Sequence, residues 1–163
     1  KVTTMDAMFG NCNSLTNLDL SNWNAENLKS VVNMFQYCIS LVSVKLDNLK
    51  TDKITNMQGM FQGCMSLTEI DLSDFDTKSV TNMAAMFYQC KNLKTIYVKE
   101  YDSTNNTGWT TSAVTNSTNM FLNCNNIVGG NGTKFNATYS NATYARIDTA
   151  EAPGYLTNIN NKN

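Results

Sequence analysis

Five cysteines and no histidine bound the chemistry open to this 163-residue chain. The absence of histidine removes the commonest general base and the commonest metal ligand. Cys12, Cys38, Cys64, Cys90 and Cys124 show no C-x-x-C pairing, and their number is odd. That is a poor pattern for zinc or for a closed disulfide framework. A ladder of buried free thiols, acting as small hydrophobes, is the preferred reading, with a disulfide between neighbouring units as its rival. Carboxylates offer a second chemistry. Glu69 and Asp71 stand two apart, roughly 6.6 Å between Cα atoms on a strand, near the separation used in glycoside hydrolysis. Such a pair needs walls that shift a pKa, and no deep pocket is evident in the pattern. The run Asp71-Leu-Ser-Asp-Phe-Asp76 offers oxygens to calcium. Equivalent positions elsewhere read Asn24, Lys50 and Asp102; a lysine in that column argues for turn chemistry instead. The chain is therefore expected to be no enzyme and to carry no metal or cofactor.

The elements that position these residues follow from one repeat. Met-Phe recurs at Met8, Met34, Met60, Met86 and Met120, in three steps of 26 and one of 34. The cysteines keep the same steps, followed by Leu15, Leu41, Leu67 and Leu93, then Leu18, Val44, Ile70 and Ile96, then Leu20, Leu46, Leu72 and Val98. A fixed period of this size with L-x-x-L-x-L spacing is the leucine-rich-repeat pattern. Within a unit, Met57-x-x-Met60-Phe61-x-x-Cys64 steps by three and four, which predicts a short helix. Thr4, Ser30, Asn56, Asn82 and Asn116 precede these stripes and can cap helix N-termini. Leu67-x-x-Ile70-x-Leu72 predicts a short strand. The expected fold class is α/β: a leucine-rich-repeat solenoid with a parallel sheet on one face, short helices on the other and a C-terminal aromatic cap.

Domain boundaries follow from where the phase fails. Residues 1–128 hold five units, the first starting at its helix half, with a polar insertion at about 101–113 that carries Trp109. Residues 129–157, rich in aromatics and ending near Pro153-Gly154, are expected to cap the array, and 158–163 to form a solvated tail. The front has no matching cap. Val2–Leu20 is thus expected either to continue from removed repeats or to join another copy end to end, removal being preferred.

Formal net charge is -1, with no basic run and no long apolar segment. Neither nucleic acid nor a membrane span is expected.

The unit Val80-Thr-Asn-Met-x-x-Met-Phe-x-x-Cys-x-x-Leu-x-x-Ile, with the Asp71-Leu-Ser-Asp-Phe-Asp-Thr stretch before it, resembles the BspA-like leucine-rich repeats of bacterial surface proteins. Gly129-Gly-Asn-Gly-Thr133 and Pro153-Gly-Tyr-Leu-Thr157 are similar to the segment closing such arrays. The resemblance implies an extracellular or cell-surface location and adhesion to host or microbial molecules.

A binding module and a passive spacer for another domain remain the two functional readings. For a binder, period two turns Lys45, Glu69, Asp71, Tyr97 and Lys99 outward on a rigid strand face. Those five and Trp109, either a binding tip or a local plug, are the candidate site for a protein or glycan ligand.

Overall fold

In the computed structural model, which describes residues 2–162, the Met-Phe half of each unit folds into overlapping turns. The short helices expected here are absent. Met8 N–H donates to Met5 C=O at 3.2 Å and Cys12 N–H to Phe9 C=O at 3.1 Å, the reach of β-turns. Alternate N–H groups leave the unit altogether. Met5, Ala7, Phe9 and Asn11 donate to Ser30, Val32, Met34 and Gln36 of the next unit at 3.1, 2.8, 2.9 and 2.7 Å. Equivalent rungs continue as far as Gln89 N–H to Leu122 C=O at 3.0 Å.

The reason lies in two left-handed residues per unit. Ala7, Asn33, Gly59, Ala85 and Asn119 occupy one such column, with φ between 51° and 60°. Asn11, Tyr37, Gly63, Gln89 and Asn123 occupy the other, at 56° to 73°. A right-handed helix requires negative φ at every residue. Two sign changes per unit break it and aim backbone groups along the stack. The capping column keeps its chemistry without a helix: Asn56, Asn82 and Asn116 accept the N–H two residues on at 3.0, 3.0 and 3.2 Å.

The strand halves form as expected, but not as one sheet. Strands β1 (Asn17–Asp19) and β2 (Ser43–Lys45) pair in parallel. A separate parallel sheet holds β3 (Glu69–Asp71), β4 (Thr95–Val98) and β5 (Thr157–Asn158), in that order. The observed class is thus parallel strands in two small sheets. The helical elements described are three 3₁₀ turns, Ala137–Tyr139, Ala142–Tyr144 and Ile159–Asn161.

The repeating columns build the core. Phe9, Phe35, Phe61, Phe87 and Phe121 stack with centroids 5.5, 5.4, 5.7 and 5.7 Å apart and nearly parallel planes. Aromatic pairs of this kind contribute about 0.5–1.5 kcal/mol each beyond the area they bury. Tyr155 closes the stack edge-on against Phe121 at 5.2 Å. Two further core columns, Ala25, Thr51 and Thr77 with Leu28, Ile54 and Val80, lie in the second half of the unit. The buried Thr77 hydroxyl donates to Thr110 C=O and accepts Thr110 N–H, both at 2.7 Å. Burial there leaves no polar group unmet.

The two ends differ. At the front, Val2, Met8 and Trp23 are exposed and Phe9, Leu15 and Leu18 are half-buried. At the back, Phe135, Tyr144 and Tyr155 cluster against the last unit. The segment expected to be a solvated tail instead begins inside β5 and continues into a 3₁₀ turn; Asn163 lies outside the described residues.

Candidate functional site

The outward strand positions lie where period two puts them. Asn17, Asp19, Ser43, Lys45 and Glu69 are exposed, while Val44 is half-buried and Ile70 buried between them. The parallel register sets neighbours side by side, Asp19 against Lys45 and Asp71 against Tyr97. Lys45 Nζ lies 3.3 Å from the Asp19 carboxylate. Hydrogen bonds from the Ser21 hydroxyl and amide, ahead of Lys45, hold the Asp19 carboxyl below its ordinary range.

The centre of this face is a break. Among the described residues no main-chain hydrogen bond joins β2 to β3, although the turn halves of the same two units are fully laddered. Leu20 N–H donates to Lys45 C=O at 2.9 Å and Leu72 N–H to Tyr97 C=O at 2.8 Å. Leu46 makes no equivalent bond to Asp71. A groove of about 430 Å³ follows the break, bordered by Lys45, Asp47, Glu69, Asp71 and Lys162. The unmatched backbone of β2 and β3 and a mixed-charge rim are what this groove offers a ligand.

Lys162 was not among the residues singled out from sequence. Its ammonium lies 2.8 Å from the Asp71 carboxylate and 4.8 Å from the centroid of the Tyr97 ring. Thr157 on β5, in register with Tyr97 of β4, brings the residues after it to this spot. Burial pushes the Asp71 carboxyl up. Hydrogen bonds from Lys162 and Ser73 outweigh it, so the group titrates below its usual range. The partner ammonium is raised, first by its bond to Asp71. No signal near Lys162 in the sequence announces this contact; it depends on the cap folding back over β4.

Of the six candidates, the structure therefore gathers Lys45, Glu69 and Asp71 around one groove, with Tyr97 beside it under Lys162. Lys99 belongs elsewhere: it borders a second groove of about 510 Å³ with Asn48, Asp52, Asp74 and Asp76. Trp109 is the plug rather than the tip. Its ring is buried and its Nε1–H donates to Ala145 C=O at 2.9 Å, tying the insertion to the cap.

The remaining candidate chemistry is committed internally. Asp71 and Asp76 accept from the N–H groups of Ser73 and Lys78 in turns, and Asp74 accepts from the Asn48 N–H of the preceding unit. Among the described residues no group of three or more Asp, Glu, Cys or His side chains is placed to hold a metal ion. Cys38, Cys64, Cys90 and Cys124 are buried free thiols, each donating to the carbonyl of the phenylalanine one unit back at 2.9–3.2 Å. Burial pushes the Cys38 thiol up to about 11 and Cys124 to about 12. Cys12 is exposed. No described helix is long and apolar enough to cross a membrane.

The family described as "Mycoplasma protein of unknown function, DUF285" matches residues 43–153. That span takes in β2, β3, β4 and the insertion. No curated protein and no solved structure matches the chain.

Proposed function

The chain belongs to the DUF285 family of Mycoplasma proteins, and we propose that it is an extracellular binding module working through the strand face and its central groove. The observation that carries this is the break between β2 and β3. A sheet that stops pairing at its centre leaves backbone donors and acceptors facing a groove whose rim is charged. Rigid strands hold those groups in place, so a ligand meets a preorganised surface. The ligand class is protein or glycan, and the role is adhesion rather than catalysis. In this reading the stacked units are a leucine-rich-repeat solenoid of the BspA-like type. The 26-residue phase and the unit-to-unit ladder support it.

A passive spacer is the second reading. The internal pairing of Lys45 with Asp19 and of Lys162 with Asp71 favours it, because a face that satisfies its own charges has less to offer. Immobilised chain, probed with purified matrix proteins and mucins beside the triple variant Lys45→Glu, Glu69→Lys, Tyr97→Ala, separates the two. Saturable binding lost in the variant is the expected result. Equal, absent binding by both proteins overturns the adhesive reading in favour of the spacer.

A further inference from the structure

A third cleft lies between the 101–113 insertion and the segment Ala145–Asn161. It is an open cleft of about 590 Å³, within the range of sites for small ligands. Trp109, Ala145 and Ile147 contribute its apolar lining, and Tyr101, 37 % exposed, stands beside them. Around that lining stand polar groups with unspent hydrogen-bonding capacity. Glu100 has no partner for its carboxylate among the described residues. Arg146 uses Nε on Pro153 C=O at 2.9 Å, leaving its terminal nitrogens open. Asn158 accepts from Asn160 N–H at 3.0 Å through Oδ1; among the described residues its amide nitrogen and the Asn161 side chain have no hydrogen-bond partner.

The balance of charge decides the ligand class. Asp148, also in the lining, is saturated: Asn131, Thr133 and Gly154 N–H groups and the Thr133 hydroxyl all donate to it at 2.6–3.1 Å. Its negative charge is thus held by the cap itself. The open charges that remain are one carboxylate, Glu100, and one guanidinium, Arg146. An anion meets Glu100 and a cation meets Arg146. A neutral ligand rich in hydroxyls suits both, since hydroxyls donate to a carboxylate and accept from guanidinium and amide groups. The partly exposed Tyr101 ring supplies an apolar face for a pyranose ring, whose C–H face is apolar and whose edge is polar.

We infer that this cleft binds a neutral sugar, of mono- or disaccharide size, between Tyr101 of the insertion, with Trp109 buried as the floor, and Arg146, Asn158 and Asn161 on the opposite side. The insertion supplies one wall and the cap the other, joined by the Trp109–Ala145 hydrogen bond. This gives the eight-residue phase break a use that the regular units do not have.

The test is titration of ¹⁵N-labelled protein with lactose and with N,N′-diacetylchitobiose. The expected result is saturable movement of the Trp109 ring N–H signal and the Asn158 and Asn161 side-chain amides with at least one sugar. Glu100→Ala with Asn161→Ala, both at exposed positions, should weaken that binding roughly tenfold or more while leaving the rest of the spectrum in place. The strand-face triple variant should bind the sugar unchanged, which separates this cleft from the adhesive reading. Absence of saturable shifts with both sugars overturns the inference, as does undiminished affinity in the double variant. Loss of sugar binding in the strand-face variant overturns the location.

Discussion

Lys162 and Asp71 form an ion pair at 2.8 Å although 91 positions separate them, and the lysine simultaneously covers the Tyr97 ring. The pair fastens the segment that follows β5 across the sheet made by β3, β4 and β5. It also occupies two of the groups most suited to contact a ligand on the strand face.

Removing the strap should therefore free the site at small cost. Both partners are partly exposed, so Lys162→Ala is expected to lose no more than about 1 kcal/mol. The Asp71 carboxyl, freed of its ammonium, should titrate higher, an effect read directly by carboxyl NMR. Since Asp71 is lowered when folded, the pair's contribution is present above about pH 4 and fades as pH falls through the folded value. The raised Lys162 adds a contribution that is lost as pH rises through its own folded value, above 10.5. An unchanged Asp71 titration in the variant would contradict the contact.

Ala85 distinguishes turns from helix by the sign of one substitution. At φ 54° an alanine carries roughly 1–2 kcal/mol of left-handed cost. Glycine removes that cost and gives back about 0.4–1 kcal/mol in unfolded-chain entropy. Ala85→Gly should thus stabilise by about 0.5 kcal/mol, read as a higher urea midpoint. In a helix interior the same change destabilises by about 1 kcal/mol. Gly59→Ala is expected to destabilise, because a Cβ there meets Asn33 Oδ1.

Phe61 sits mid-stack and Phe9 at the open end. Phe61→Ala should cost about 3–5 kcal/mol, as for other buried aromatics. Phe9 is half-buried, so Phe9→Ala should cost less than half of that. Equal midpoints for the two variants in urea would deny the gradient from exposed front to capped back.

The thiols should divide one against four. A disulfide-exchange reagent at neutral pH is expected to label Cys12 quickly and the other four only on unfolding, since the thiolate is the nucleophile. Burial raises the four, so the native state holds protons that the unfolded chain releases. Stability is intact below about pH 8.5 and declines as pH rises, Cys38 reaching its folded value at about 11 and Cys124 at about 12. Urea midpoints measured across that window should fall. Cys38→Ala and Cys124→Ala should flatten the decline, and a flat profile in the parent chain would refute it.

The sequence by itself determined which residues are inside. A 26-residue phase repeated in separate columns admits only one arrangement that buries Met, Phe, Cys and Leu together, and those columns are the core. It also placed Asn56, Asn82 and Asn116 at the start of each turn half and turned Lys45 and Glu69 outward, because strand alternation and side-chain capping are local properties. Three- and four-residue spacing did not distinguish a helix from chained turns. Both put the same residues on one face, and the choice rests on φ at Ala7, Asn11 and their equivalents. Gly59, Gly63 and the asparagines in those columns were the available signal. Ala85, Tyr37 and Gln89 hid it, because residues of those types take left-handed φ only when neighbouring units supply the hydrogen bonds that offset its cost. The break between β2 and β3, the buried Trp109 and the reach of Lys162 to Asp71 were likewise decided in three dimensions. Each depends on how distant segments meet once the stack has formed, and no local preference encodes that meeting.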